Sequence, residues 1–415
     1  LHLHVAGTYA FRIPDAIEIF CEIFCCNGRM ASLHSLHRKG NVFSVPFRES
    51  VEVAGEGGCA IWTIEQLLDQ VCAKGASDLI ITVGTPPQLR ILGDLQPLGN
   101  VDLLPADSEA ICMSVLTESQ KVLMAERSSL DFSKGFSGLS RFRFNVYRQR
   151  GSYALAARYI PFVVPSFEEL GLPVDVFRRF SMRPHGLVLV TGAAGSGKST
   201  SLASMIDYIN EHRHAHVICL EDPIEYLHHH RKSTVEQREI YEDAPSFAAA
   251  LRDVFRQSPD VIMVGEMRDM ETMQLALTLA ETGHLVMGTL HTQDTVQAIS
   301  RIVDSFPAAH QQQIYTQLSM VLTGVVSQVL LMTADHRRRV LAYEVMLANT
   351  AIRNLIRERQ VQQMYSVIQT SRDEGMSTMN ESLCRLVRSG TIERKTAMER
   401  STRPVELERM LETAT

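Results

Sequence analysis

The chain has 415 residues, 45% apolar and 21% charged, the balance of an ordinary folded protein of two or three domains and not of a disordered one. Asp and Glu number 47 against 41 Lys and Arg, a formal charge of -6, so no overall positive field gathers nucleic acid. The eight cysteines repeat no CxxC pair at zinc-ribbon spacing and read as thiols of a reducing compartment.

The apolar stretches 186–190 and 321–332 are short or broken by Thr323, Gly324, Ser327 and Gln328. Neither reaches the roughly 20 residues of a membrane-spanning helix. The first residues also lack the basic start and apolar core of a signal peptide. A cytoplasmic protein is expected, touching a membrane only through partner proteins.

The chain opens with Leu1 rather than methionine. Residues 1–58 hold His2, His4, the Cys25-Cys26 pair and Gly55, Gly57 and Gly58, without sustained helix or strand period, and read as an extension of uncertain order. From Trp62 the signal sharpens: Ile64, Leu67, Leu68 and Val71 repeat at helical spacing until Gly75. Residues 78–83 and 89–93 read as strands around a turn. The alternation Arg141-Phe-Arg-Phe-Asn-Val-Tyr-Arg148 and the extended run 153–160 complete a small α+β domain, assigned to 59–160.

Pro161, Pro165 and Pro173 make residues 161–178 a fixed, extended linker. In the domain assigned to 179–350, strands at 187–190, 217–220, 261–264 and 285–290 alternate with helical stretches at 199–210 and 247–256. That is the α/β pattern of a largely parallel sheet covered by helices. Residues 351–415 read as amphipathic helices, among them 351–357 and 379–387.

Chemistry concentrates in the larger domain. Gly192-Ala193-Ala194-Gly195-Ser196-Gly197-Lys198-Ser199 matches Gly-x-x-x-x-Gly-Lys-Ser between an apolar strand and a helix that continues through Thr200. Small residues let successive N–H groups wrap a phosphate, Lys198 reaches the β and γ phosphates of ATP, and the Ser199 hydroxyl ligates Mg²⁺. Two strands end in acid. One closes on Gly265-Glu266-Met-Arg268-Asp269 and the other on Glu221-Asp222-Pro-Ile-Glu225, both at the sheet edge where ligands of α/β proteins bind. Glu266 is expected to order the attacking water, with the second acidic end helping to hold magnesium.

His284 and His291 flank the strand 285–290, roughly 23 Å apart at a rise of about 3.3 Å per residue, and so act separately, with His291 at the crevice end. His228-His229-His230, beside Arg231 and Lys232, is read as an exposed loop and not a metal site. In the small domain Arg141, Arg143, Arg148, Arg150 and Arg158 include candidates for a guanidinium that meets the γ phosphate from another domain or subunit. Ordinary surface arginines on a strand explain the same pattern.

On these residues the chain, from about Trp62 to about Arg403, resembles the PilT family, the retraction ATPases of bacterial type IV pili within the secretion ATPase superfamily. Four segments carry the match: the Walker A loop 192–199, the Asp box 221–225, the Walker B end 265–269, and the His box, Glu281-Thr-Gly-His284 through Gly288-Thr-Leu-His291-Thr. Ala351-Ile-Arg-Asn-Leu-Ile-Arg357 matches a segment of the retraction type.

The resemblance implies a RecA-like core, a smaller PAS-like N-terminal domain and a homo-hexameric ring with nucleotide clamped between the domains. It implies that Glu266 is the catalytic glutamate and that Glu225 lies at the nucleotide, sharing Mg²⁺ with Ser199 partly through water. Glu221 joins the nucleotide-binding set, His284 and His291 form the His-box pair, and Arg143 and Arg158 fall where the arginine fingers lie. The implied work is pilus retraction and twitching motility through an inner-membrane platform protein, with a second retraction ATPase as a further partner and no nucleic acid.

Residues 1–58 have no counterpart in the usual family start. Ile80 stands where the family commonly has histidine, as is also so in the related PilU, which leaves PilT or PilU type open. The four-cysteine module of type II secretion ATPases is absent. In another class, a RecA-like nucleic-acid translocase shares loop, glutamate and ring, but no aromatic stacking series or dense basic stripe accompanies them here.

Overall fold

Where the sequence shows no sustained period in its first residues, the chain forms four strands. β1 (His4–Ile13), β2 (Ile17–Cys26), β3 (Arg29–Arg38) and β4 (Asn41–Ser44) pair in that order as an antiparallel meander. Ile17-Glu-Ile-Phe-Cys-Glu-Ile-Phe24 is rich in β-branched and aromatic residues, which favour extended backbone. Its apolar positions do not alternate cleanly, and this hides the strand from a period-based reading. The computed structural model describes the backbone of these four strands and residues 62–412 apart from 92, 161 and 162. Gly55, Gly57, Gly58 and the linker residue Pro161 lie outside the described residues.

Residues Trp62–Thr415 form a separate unit. It begins with α1 (Ile64–Ala73), whose N-terminus is fixed by a reciprocal capping box between Thr63 and Gln66. Next come β5 (Asp78–Ile81), β6 (Gln88–Ile91), β7 (Asp94–Pro97), α2 (Pro105–Val115), α3 (Glu118–Glu126), β8 (Ser129–Gly135), β9 (Arg141–Gln149) and β10 (Ser152–Ile160). The strands make one antiparallel sheet, ordered β7-β6-β5-β10-β9-β8. Strict alternation on β9 sends Phe142, Phe144 and Val146 into a core with Leu67, Leu68 and Val71 of α1. Arg141 and Arg143 of the same strand therefore face the other way.

The larger part runs α4 (Val174–Ser181), β11 (Gly186–Thr191), α5 (Lys198–His212), β12 (His216–Glu221), β13 (Thr234–Glu239), α6 (Phe247–Val254), β14 (Val261–Val264), α7 (Met270–Glu281), β15 (Leu285–Leu290), α8 (Thr295–Asp304), α9 (Ala308–Val321), β16 (Leu322–Met332) and β17 (Arg339–Leu347). Its sheet is ordered β13-β12-β14-β15-β11-β16-β17, parallel except for the last pair. Every residue of β11, β14 and β15 is buried, as expected for central parallel strands covered on both faces. The apolar stretch from 321 is mostly β16, and no described helix is long and apolar enough to cross a membrane.

α10 (Thr350–Arg357), α11 (Met364–Thr370), α12 (Met379–Arg388), α13 (Arg394–Arg400) and α14 (Pro404–Glu412) close the chain. Leu383, Ala397 and Leu407 from three of these helices meet Leu331 and Ala342 on β16 and β17 in a small satellite core.

Candidate active site

Parallel strands bring the C-terminal ends of β11, β12, β14 and β15 to one edge, and the motif residues follow those ends. After β11 the chain turns through Gly192, Gly195 and Gly197 at φ of 144°, 74° and 90°, conformations that favour glycine. A Cβ on Gly192 would collide with the Gln328 carbonyl and stand 2.5 Å from Ser196 Oγ, so the loop has the close backbone packing of a phosphate cradle. α5 starts at Lys198 and its free N–H groups face that cradle. Ala193, Ala194, Gly195 and Ser199 are exposed there and Thr200 is half-buried, while the buried hydroxyls of Thr191 and Ser196 have no protein partner. Lys198 Nζ donates to the carbonyls of Gly192 and Ala193 at 2.9 and 3.0 Å. Burial lowers its pKa, with the charges of Glu266 and Glu225 opposing.

Glu266 follows β14. Its Oε1 lies 2.6 Å from Arg268 Nε and 3.0 Å from His291 Nε2. Burial alone would raise its pKa, but the Arg268 hydrogen bond and the charges of His291, Arg268 and Lys198 hold it below the ordinary value. The strand floor beneath is tied by Thr289 Oγ1, which donates to the Gly265 carbonyl at 2.5 Å, and by Met267 N, which donates to Thr289 O.

At the end of β12, Glu221 is buried and accepts from Gln237 Nε2 at 2.8 Å. Burial pushes its pKa up to about 7, against the Gln237 hydrogen bond and helped by the nearby Glu225 and Glu239. Glu225 is exposed on the loop beyond, and Asp222 is raised by burial.

His284 is not brought to this edge by the chain's own fold. It sits at the opposite end of β15, where its N–H and its Nδ1 both address the Leu279 carbonyl near the end of α7 and Nδ1 is 3.2 Å from Thr282 Oγ1. The histidine triplet also differs from a simple exposed loop: burial drives the His228 pKa down to about 4, although His229 and His230 are exposed. No group of three or more potential metal ligands of the His, Cys, Asp and Glu type occurs among the described residues.

From the small domain, Arg143 on β9 is paired with Asp131 at 3.1 Å through Nε. Its pKa is raised by that hydrogen bond, with the charges of Asp222 and Glu225 adding to the effect. Two residues before it, Arg141 binds Glu239, the strand partner of Glu221 from which the acidic loop departs. Arg158 stands directly opposite Arg143 on β10 and pairs with Asp78 at 2.9 Å. The two guanidinium side chains thus share one face of the sheet. Roles for Arg268, Asp131 and Gln237 are not visible in the sequence, because each depends on a partner distant along the chain or on the local turn.

The family described as type II/IV secretion system protein matches residues 166–402, more than half of the chain. The type IV pilus retraction ATPase PilT of Pseudomonas aeruginosa is 44% identical over 341 residues, covering 82% of this chain and 98% of its own length. The chain belongs to the PilT family of type II/IV secretion ATPases. A twitching motility protein of Neisseria gonorrhoeae is 45% identical over 315 residues, 76% of this chain and 84% of its own. The crystal structure of the pilus retraction motor PilT with bound ADP has a TM-score of 0.79 at 48% identity, covering 84% of this chain and 99% of that one. DotB of Legionella pneumophila gives 0.69 at 26% identity, covering 83% and 97%. As a member of this family the chain is an ATP-hydrolysing enzyme with a RecA-like core and a smaller N-terminal α+β domain.

Proposed function

We propose that the chain is the subunit of a homo-hexameric motor that couples ATP hydrolysis to type IV pilus retraction, and hence to twitching motility. The observation that carries this reading is the match to a pilus retraction ATPase over 98% of that protein's length, with Walker A, Asp box, Walker B and the crevice end of the His box around one sheet edge. The motor works on the cytoplasmic side against an inner-membrane platform protein.

Lys198 leaves its two carbonyl partners for the β and γ phosphates, and the loop amides hold the rest of the polyphosphate. Mg²⁺ prefers oxygen ligands, and the exposed Ser199 hydroxyl and Glu225 carboxylate would hold it; bound there, it would neutralise phosphate charge. Glu266, kept ionised by Arg268 and His291, orients the attacking water and takes its proton. Arg143 and Arg158 approach the γ phosphate from the small domain and stabilise charge that grows in the transition state.

The reading is tested in a strain lacking its own retraction ATPase. The chain should restore twitching, and Lys198→Ala, which loses ATP binding, should not. No restoration by the wild-type chain, together with ATPase activity strongly stimulated by single-stranded DNA, would move the protein to the translocases.

A further inference from the structure

β13 is an edge strand of the large sheet, and it ends in Glu239, which is only 2% exposed. A carboxylate so buried is costly unless its oxygens are hydrogen-bonded. Its partners come from the other domain. Arg141 Nη2 donates to Glu239 Oε2 at 2.9 Å, Ser133 Oγ donates to the same oxygen, and Arg141 Nε donates to Ser133 Oγ at 2.8 Å. The three groups close a ring that straddles the two domains. On the large-domain side Glu239 is held firmly: its N–H donates to Asp243 Oδ2 at 2.8 Å, and its carbonyl accepts from Asp243 N in a turn where Tyr241 takes φ of 74°.

On the small-domain side, Arg141 and Arg143 are two residues apart on β9 and share a face, about 6.6 Å from each other. Ser133 is the direct cross-strand partner of Arg143. Whatever grips Arg141 and Ser133 therefore holds both the residue two before Arg143 on β9 and its neighbour across on β8. We infer that Glu239 is a positioning residue for ATP hydrolysis: by anchoring Arg141 and Ser133 to the end of β13, it aims Arg143 at the Asp222–Glu225 loop. The inference rests on the reading of Arg143 as an arginine finger. It adds that the finger is aimed from the large domain, so that loosening the anchor costs turnover and not ATP affinity.

The test is a double-mutant cycle on purified hexamer, with turnover and KM for ATP measured for Glu239→Gln, Arg143→Ala and both together. Glu239→Gln should lower kcat by about tenfold with KM changed by less than about threefold, since a small misplacement of a catalytic group is enough for such a loss. In the Arg143→Ala background the same substitution should have no further effect on kcat, because the group it positions is gone. Wild-type turnover in Glu239→Gln overturns the proposal, and so does an equal loss in both backgrounds. Arg143→Ala with wild-type turnover removes the finger reading and the inference built on it. Where Glu239→Gln fails to assemble, Ser133→Ala and Arg141→Lys leave the buried carboxylate in place and enter the same cycle with the same expected outcomes.

Discussion

His291 Nε2 stands 3.0 Å from Glu266 Oε1, although 24 residues lie between them along the chain. The contact exists because β14 and β15 are parallel neighbours in which Val264 pairs with Gly288, a register that brings Glu266, two residues past β14, level with the end of β15 at Leu290. With Arg268 on the same oxygen, Glu266 has its orientation fixed and its charge favoured.

The pH dependence of turnover follows from that pair of contacts. A carboxylate held below its ordinary pKa stays ionised to more acid pH, so the acid limb of kcat should lie below that of an unperturbed glutamate. Arg268→Ala removes a hydrogen bond and a charge while burial remains, and the limb should move upward. A kcat–pH profile of wild type and variant decides this, and an unmoved limb would show that Glu266 is not the titrating base.

Glu221 gives the opposite sign. Its folded-state pKa of about 7 lies above the ordinary 4.5, so the folded chain binds a proton more tightly than the unfolded one between those values. Stability should therefore be greatest below about pH 4.5 for this group and fall as pH rises through 7, by on the order of 3 kcal/mol. Glu221→Gln keeps an acceptor for Gln237 and carries no charge. In nucleotide-free protein it should raise the thermal midpoint at pH 8 and leave it nearly unchanged at pH 5. Equal shifts at both pH values would mean that the ionised carboxylate is tolerated at no cost.

A second buried carboxylate holds the C-terminal helices to the core. Glu344 on β17 accepts from Thr295 N at 2.9 Å, from Thr295 Oγ1 at 2.7 Å and from Met379 N at 3.3 Å, so it serves the first turns of both α8 and α12. Glu344→Ala orphans three buried donors and should cost roughly 3 kcal/mol of stability. Denaturant unfolding measures it, and a change under about 0.5 kcal/mol, the scale of a surface substitution, would mean that water replaces the carboxylate.

Much of this site could be read along the chain, because each motif is a short segment at a strand end. Gly192 to Ser199, Glu266 and Glu225 needed only apolar runs and their acidic or glycine-rich termini. What escaped is what the sheets assemble from remote pieces: Glu239 against Arg141, Asp131 against Arg143, Gln237 against Glu221. Glu344 escaped too, since one acid in an apolar strand resembles a solvent-facing position until α8 and α12 cover it. β1 to β4 were hidden by irregular alternation, and β16 by an apolar run without period.

Arg143 and Arg158 face each other across β9 and β10, and each is paired with a carboxylate of its own domain. Both are partly exposed, 40% for Arg143 and 69% for Arg158. An exposed pair such as Arg143–Asp131 is worth about 0–1 kcal/mol, and Asp78, largely buried, keeps Arg90 at 3.7 Å when Arg158 departs, so either guanidinium can leave its carboxylate for a phosphate at little cost. ATP, with more charge than ADP, should favour the arrangement that brings them to the γ phosphate, and phosphate release should relax it. Arg143, beside Asp222 and Glu225, should matter most: Arg143→Ala is expected to lower turnover on the order of 100-fold, with ATP affinity reduced far less. Arg158→Ala should act in the same direction by a smaller factor, because Arg158 stands one strand further along the row. Turnover, ATP-analogue affinity and interdomain distance in ATP-analogue and ADP states, measured for each variant, separate the two roles. If both variants hydrolyse ATP like wild type and their domain distance still follows the nucleotide, these arginines are surface charges and the closing of the cleft draws on other residues.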